Sequence, residues 1–205
     1  MSLIIHFILG FIVSFSGTLV PSMLNMTTAK ISLNKSKSEA IKFASGASIV
    51  VLAQVYIAIL FTKFLGNNPA FIQLLQKIAI VIFAFLSVYF YRLSRKDKKA
   101  TSSVKEKSGN SFLVGLLLSS LNMFSIPFYC AVTTSLDMAG WLHFTQKNIL
   151  MFVVGSALGA FALLAMYASF AKKIQLKSAS LAKNINLILS ILTGGLALVT
   201  LFKFL

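Results

Sequence analysis

Acidic residues are nearly missing from this chain: four Asp and Glu stand against 19 Lys and Arg in 205 residues. Charged residues of both signs make up only 11%, where a soluble domain carries about a quarter. With 58% apolar residues and a mean hydropathy of +0.88, the composition excludes a soluble globular domain and indicates an integral membrane protein. A net charge of +15 would suggest nucleic acid as the partner of a soluble protein. Here the cations stand in short clusters between apolar runs, where they orient helices and meet the lipid bilayer, so no nucleic acid is expected. Cysteine occurs once, at Cys130, which excludes an internal disulfide, a CxxC redox pair and a thiolate metal site. Two histidines, His6 and His143, are too few for a metal path, and neither a metal nor a cofactor is expected. There is no HExxH, no GxSxG, no phosphate-cradling loop and no pair of carboxylates, so no catalytic residues can be assembled and an enzyme is not expected.

Long apolar runs are what the chain has. About 20 helical residues cross a hydrocarbon layer of ~30 Å. Six runs reach that length, at roughly 4 to 28, 40 to 64, 70 to 91, 112 to 136, 149 to 171 and 185 to 205. None alternates apolar with polar residues as a barrel strand does, so the expected fold is all-α with six transmembrane helices. The opening stretch MSLIIHFILGFIV lacks the basic segment of a secretory signal and stays apolar past residue 20, which predicts a retained span. Counting basic residues by alternate connections puts 15 on one face, including Lys35, Arg92, Arg95, Lys105 and Lys172, and four on the other, Lys63, Lys77, Lys147 and Lys203. The positive-inside rule then places both termini outside the cytoplasm.

The basic stretch from 92 to 111 has no apolar periodicity and reads as a cytoplasmic linker between a first half, 1–91, and a second, 112–205. Three spans in each half require opposite insertion if the halves are related, which would be an inverted repeat. The first spans of the halves align with Phe7 on Phe112, Gly10 on Gly115 and Ser14 on Ser119, then, after one gap, Pro21 on Pro127. The second spans align Phe43 with Phe152 and Gly46 with Gly155. The third spans match poorly.

Pro21 and Pro127 fall inside spans one and four, where each removes a helix hydrogen bond and frees the carbonyl four residues back, Gly17 and Met123 respectively. Breaks at related positions read either as kinks or as the two sides of a solute site. Polar residues gather around them, among them Ser14, Ser16, Asn25, Gln54, Ser120 and Asn122. Asn25, Gln54 and Asn122 should face the bundle interior, as helix glue or as cavity lining, and lining is preferred for Asn25 and Asn122. The expected path comprises Gly17, Thr18, Pro21, Asn25, Gln54, Asn122, Ser125 and Pro127. Gly155 and Gly159 form a GxxxG face suited to close helix packing, including that of a homodimer. Ser36-Lys-Ser-Glu39 reads as a capping box, with Glu39 reaching back to the chain at Ser36.

This arrangement resembles the LysE/RhtB superfamily of small amino-acid exporters. Phe7-Ile-Leu-Gly10 followed by Leu19-Val20-Pro21 is similar to that family's FxxG and PGP motifs, with the last proline kept. The run from Gly115 to Phe124 is similar to its GLLxNxxNPK motif, with Asn122 kept and the Pro and Lys replaced. The resemblance implies a secondary transporter that exports amino acids or related small metabolites from a bacterial cell by alternating access. It implies a multi-pass protein of the cytoplasmic (inner) membrane, drive by the proton gradient, and a site between two broken helices. The replaced Lys removes a cation that could meet a carboxylate. Those departures motivate a second reading, a non-transporting membrane scaffold or assembly partner on the same fold.

Overall fold

A computed structural model of the chain describes residues 3–19, 22–95, 109–122 and 124–173, with positions 190, 191, 194, 195, 197, 198 and 201. Most of the expected linker, most of span six, Pro21 and Met123 lie outside the described residues. The helices are α1 (Leu3–Leu19), α2 (Met23–Asn34), α3 (Lys37–Gly66), α4 (Pro69–Arg95), α5 (Ser111–Ser120), α6 (Ser125–Met138) and α7 (Gln146–Ser169), and among the described residues there is no strand. α3 and α7, at 30 and 24 residues, are each long and apolar enough to cross a membrane unaided. The first and fourth expected spans are instead helix pairs, α1 with α2 and α5 with α6, bent by 78° and 63°.

Pro127 shows why the second of these bends costs little. The sequence reading put it in a helix interior, against the carbonyl of Met123. In the structure α5 has already ended at Ser120 and Pro127 is the third residue of α6. A first-turn N–H has no partner within its helix, so proline there forfeits no hydrogen bond. Three other helix starts are capped from the sequence: Ser22, Asn110 and Thr145 accept from the backbone N–H of Asn25, Phe112 and Asn148. Only half of the expected capping box forms. Ser36 Oγ accepts from Glu39 N at 3.1 Å, but the Glu39 carboxylate turns outward to Lys42 Nζ at 2.7 Å and Ser111 Oγ at 2.6 Å. A hydroxyl and an ammonium outcompete one backbone N–H for that carboxylate, and the result ties α3 to α5.

α6 ends on Gly140, whose φ of 70° lies in the left-handed region. Trp141 N donates to Leu136 O at 2.8 Å and Gly140 N to Asp137 O at 2.9 Å, the paired bonds of a Schellman ending. Gly140→Val is expected to lower stability by about 1–2 kcal/mol, from the cost of that backbone region for a side chain bearing Cβ. Reversible denaturation in detergent reads it, and an unchanged midpoint would show that the ending contributes nothing.

α1 is an inside-out amphiphile. Along α1, His6, Gly10 and Ser14 are buried while Ile4, Ile8 and Ile12 are exposed. Small and polar residues face the protein, and branched apolar ones face where lipid lies, because lipid tails give apolar side chains no reason to turn inward. Backbones then meet at glycine. A methyl on Gly10 would overlap the carbonyl of Phe152 in α7, and one on Gly115 that of Phe43 in α3. Likewise Gly155 lies on the carbonyl of Phe7, and Gly46 on that of Phe112. Gly159 packs on Phe11, so the GxxxG face expected to suit a homodimer is filled by α1 of the same chain. Any dimer must use another face.

Two compact units emerge, Met1–Phe64 with Lys107–Gln175, and Leu65–Glu106 with Leu176–Leu205. Each draws on both halves of the chain. In the first, fully buried Phe43 and Phe152 belong to two apolar clusters, one with Ala40, Ala44 and Leu164, the other with Val55, Ile59 and Tyr129. In the second, Ser87 and Ser190 each donate a hydroxyl to the other's carbonyl, at 3.0 and 2.9 Å, with Gly194 against Ser87.

Candidate solute pathway

A helix that stops in the middle of a membrane leaves its last carbonyls without donors, and each must find one. At the end of α1, Asn25 supplies it. Its Nδ2 donates to the carbonyl of Thr18 at 2.6 Å, while its Oδ1 accepts from Ser22 Oγ at 3.1 Å. Asn25 is wholly buried, so this amide bridges α1 and α2 across the bend. The next carbonyl, Leu19 O, accepts from Tyr167 Oη of α7 at 3.3 Å. The Thr18 hydroxyl bonds back to Ser14 O.

At the end of α5 the donor comes from another helix. Gln54, midway along α3, donates Nε2 to the carbonyl of Ser119 at 2.8 Å, and Asn122 N donates to the same oxygen at 3.0 Å. Ser119 Oγ in turn donates to Ala47 O at 3.0 Å. Thr18 and Ser119 are each the penultimate residue of the upstream helix, so the two bends are held alike, each by one side-chain amide. The amides differ in what remains. Both atoms of the Asn25 amide are engaged, whereas Gln54 Oε1 is buried and finds no partner among the described residues.

The two bends are joined by the end of α1 lying on the start of α6. The Phe128 ring presses on Gly17 Cα, and Ser14 Oγ and Tyr129 Oη lie 2.7 Å apart. Of the expected path, Gly17, Thr18 and Asn25 therefore stand at the first bend, and Gln54, Asn122, Ser125 and Pro127 at or beside the second. Pro21 lies outside the described residues. Ser16 and Ser120 are exposed and bond back to Ile12 O and Leu116 O of their own helices. Phe128, Tyr129 and Tyr167 carry no sequence signal that sets them apart from other aromatic residues in apolar runs.

The remaining polar clusters lie elsewhere. His143 N donates to His6 Nε2 at 3.4 Å, and Asn148 Nδ2 to His143 O at 3.1 Å, which anchors the connection between α6 and α7. Thr62 and Thr133 hydroxyls meet at 2.9 Å, beside Cys130. A cavity of about 350 Å³ at the ends of α2 and α7 is lined by Ser32, Lys37, Lys172 and Lys173, and holds none of the expected path residues. Among the described residues no three His, Cys, Asp or Glu side chains come together as a metal site would require. The described residues of the bends offer neutral amides, hydroxyls and backbone carbonyls, which suits binding of a hydrogen-bonding solute.

Compared with known proteins, the chain matches the family model LysE type translocator over residues 15–203. No curated protein and no solved structure matches it.

Proposed function

The chain belongs to the LysE type translocator family, and on that premise we propose that it exports amino acids or related small metabolites across a bacterial cytoplasmic membrane by alternating access. The observation that carries this reading is the meeting of two bent spans, the end of α1 on the start of α6, with an amide holding open backbone at each bend. Irregular backbone at membrane depth is characteristic of solute sites in carriers. An inverted repeat is part of the proposal and draws support from the glycine contacts. Exchanging the halves by the sequence alignment turns Gly10 on Phe152 into Gly115 on Phe43, and Gly155 on Phe7 into Gly46 on Phe112. Compact units drawn from both halves suit two interleaved repeats. Both termini outside, by the 15-to-four count of basic residues, and drive by the proton gradient complete the reading.

Counterflow into proteoliposomes tests it without assuming a coupling ion. Vesicles preloaded with amino acids, dipeptides or amines in turn should take up labelled solute saturably for one class. Absence of flux from folded protein, together with a stable partner captured in mild detergent, would replace the carrier with a scaffold. Asn122 is half-buried at the second bend, and its side chain has no partner among the described residues. Asn122→Leu should cut flux about tenfold or more, the equivalent of one hydrogen bond to solute, with folded yield unchanged. Flux equal to the parent would remove Asn122 from the path.

A further inference from the structure

We propose that the bend between α5 and α6 is a seat for a small monovalent cationic group, with Gln54 Oε1 as its fixed acceptor. Gln54 is 6% exposed and sits midway along α3. Its Nε2 is committed to the Ser119 carbonyl at 2.8 Å, which fixes the orientation of the amide and holds Oε1 at the carboxyl end of α5. That oxygen has no partner among the described residues, and a buried acceptor left empty is costly in an apolar interior. What it lacks is a donor or a cation.

One further feature selects positive charge, and two describe its surroundings. The carboxyl end of α5 carries the partial negative charge of its helix, and open carbonyl ends of broken helices are where carriers hold cations. α5 and α6 contain no basic residue that could fill the seat from within. The two described carboxylates are also remote: Glu39 lies about four turns from Gln54 along α3 and is engaged by Lys42 and Ser111, and Asp137 is exposed at the far end of α6. A cation here would be met by neutral oxygens alone. The first bend has no such vacancy, because Ser22 fills the corresponding oxygen of Asn25.

The cationic group has two sources, the ammonium head of the exported solute or an inorganic alkali ion. The solute arm rests on the transport reading, whereas the seat itself does not. The test is thermal unfolding of the purified full chain in detergent against chloride salts of sodium, potassium, ammonium and methylammonium, at ionic strength held constant with N-methylglucamine. Saturable stabilisation is expected from one class, alkali or ammonium, and the class that acts names the source. Gln54→Leu should weaken the half-saturating concentration about tenfold or more. Gln54→Met, which keeps the side-chain length without either polar atom, should weaken it likewise, and this variant decides the matter if the leucine variant does not fold. No saturable response from any of the four cations, or equal responses in parent and both variants, would leave Oε1 to a buried water and overturn the seat. Because binding is read directly, absence of flux in counterflow and absence of the seat are separate results.

Discussion

Gly155→Leu and Gly46→Leu should both remove folded protein from the membrane fraction, by a destabilisation of about 3 kcal/mol or more, while Gly66→Leu should leave yield and melting unchanged. The reason is geometric. Gly155 and Gly46 lie on the carbonyls of Phe7 and Phe112, so even a first methyl overlaps backbone, which cannot rotate away. A methyl on Gly66 would meet nothing within 4 Å among the described residues. Because the obstacle is a carbonyl, shortening the facing side chain with Phe7→Ala should fail to rescue Gly155→Ala. Size-exclusion profiles and thermal midpoints of the five single variants and the double variant measure this. A monodisperse Gly155→Ala melting with the parent would show that α1 and α7 can part without loss. Equal costs at Gly10 and Gly115, and again at Gly46 and Gly155, are what the proposed repeat requires.

Asn25→Leu is expected to cost about 2–3 kcal/mol, because it strands both the Thr18 carbonyl and the Ser22 hydroxyl inside the bundle. Asn25→Asp separates the two bonds. It keeps the acceptor for Ser22, loses the donor to Thr18 and places a carboxylate in a wholly buried position, so it should be at least as damaging. Ser16→Ala is the matched control at under about 0.5 kcal/mol, since Ser16 is exposed and bonds back to Ile12 O and Val13 O of its own helix. Denaturant titration in mixed micelles provides the comparison. If Asn25→Leu and Ser16→Ala were equally mild, the amide would not be what holds α1 to α2.

Much of the fold is legible in the residues. α3 and α7 fall on two of the expected runs and the two bent helix pairs on two more, and the bends occur within the two spans that contain Pro21 and Pro127. The chemistry of the bends was only partly readable. Gln54, Asn122 and Asn25 stand out because amides are expensive in hydrocarbon, and the first and last were indeed found wholly or almost wholly buried. Their individual jobs did not stand out. Asn25, read as cavity lining, spends both its amide atoms on the bend, and Gln54 bonds a carbonyl 65 positions away. Glu39 was misassigned for the same reason: its partner Ser111 is 72 residues distant, beyond the reach of a local capping pattern.

Hydropathy and charge by themselves determined that this chain is all-helical and bilayer-bound, because only a helix can satisfy its backbone within a single apolar run. Local chemistry also sufficed for the helix starts at Ser22, Asn110 and Thr145 and for the turn at Gly140. Tertiary structure alone decided which glycine receives which carbonyl, that α1 fills the GxxxG face of α7, and that one amide oxygen at the second bend has no partner among the described residues. Lipid is as apolar as the side chains it meets, so hydropathy cannot choose among helix faces. That choice falls to backbone contact and hydrogen bonding between residues far apart in sequence, and only the folded bundle brings them together.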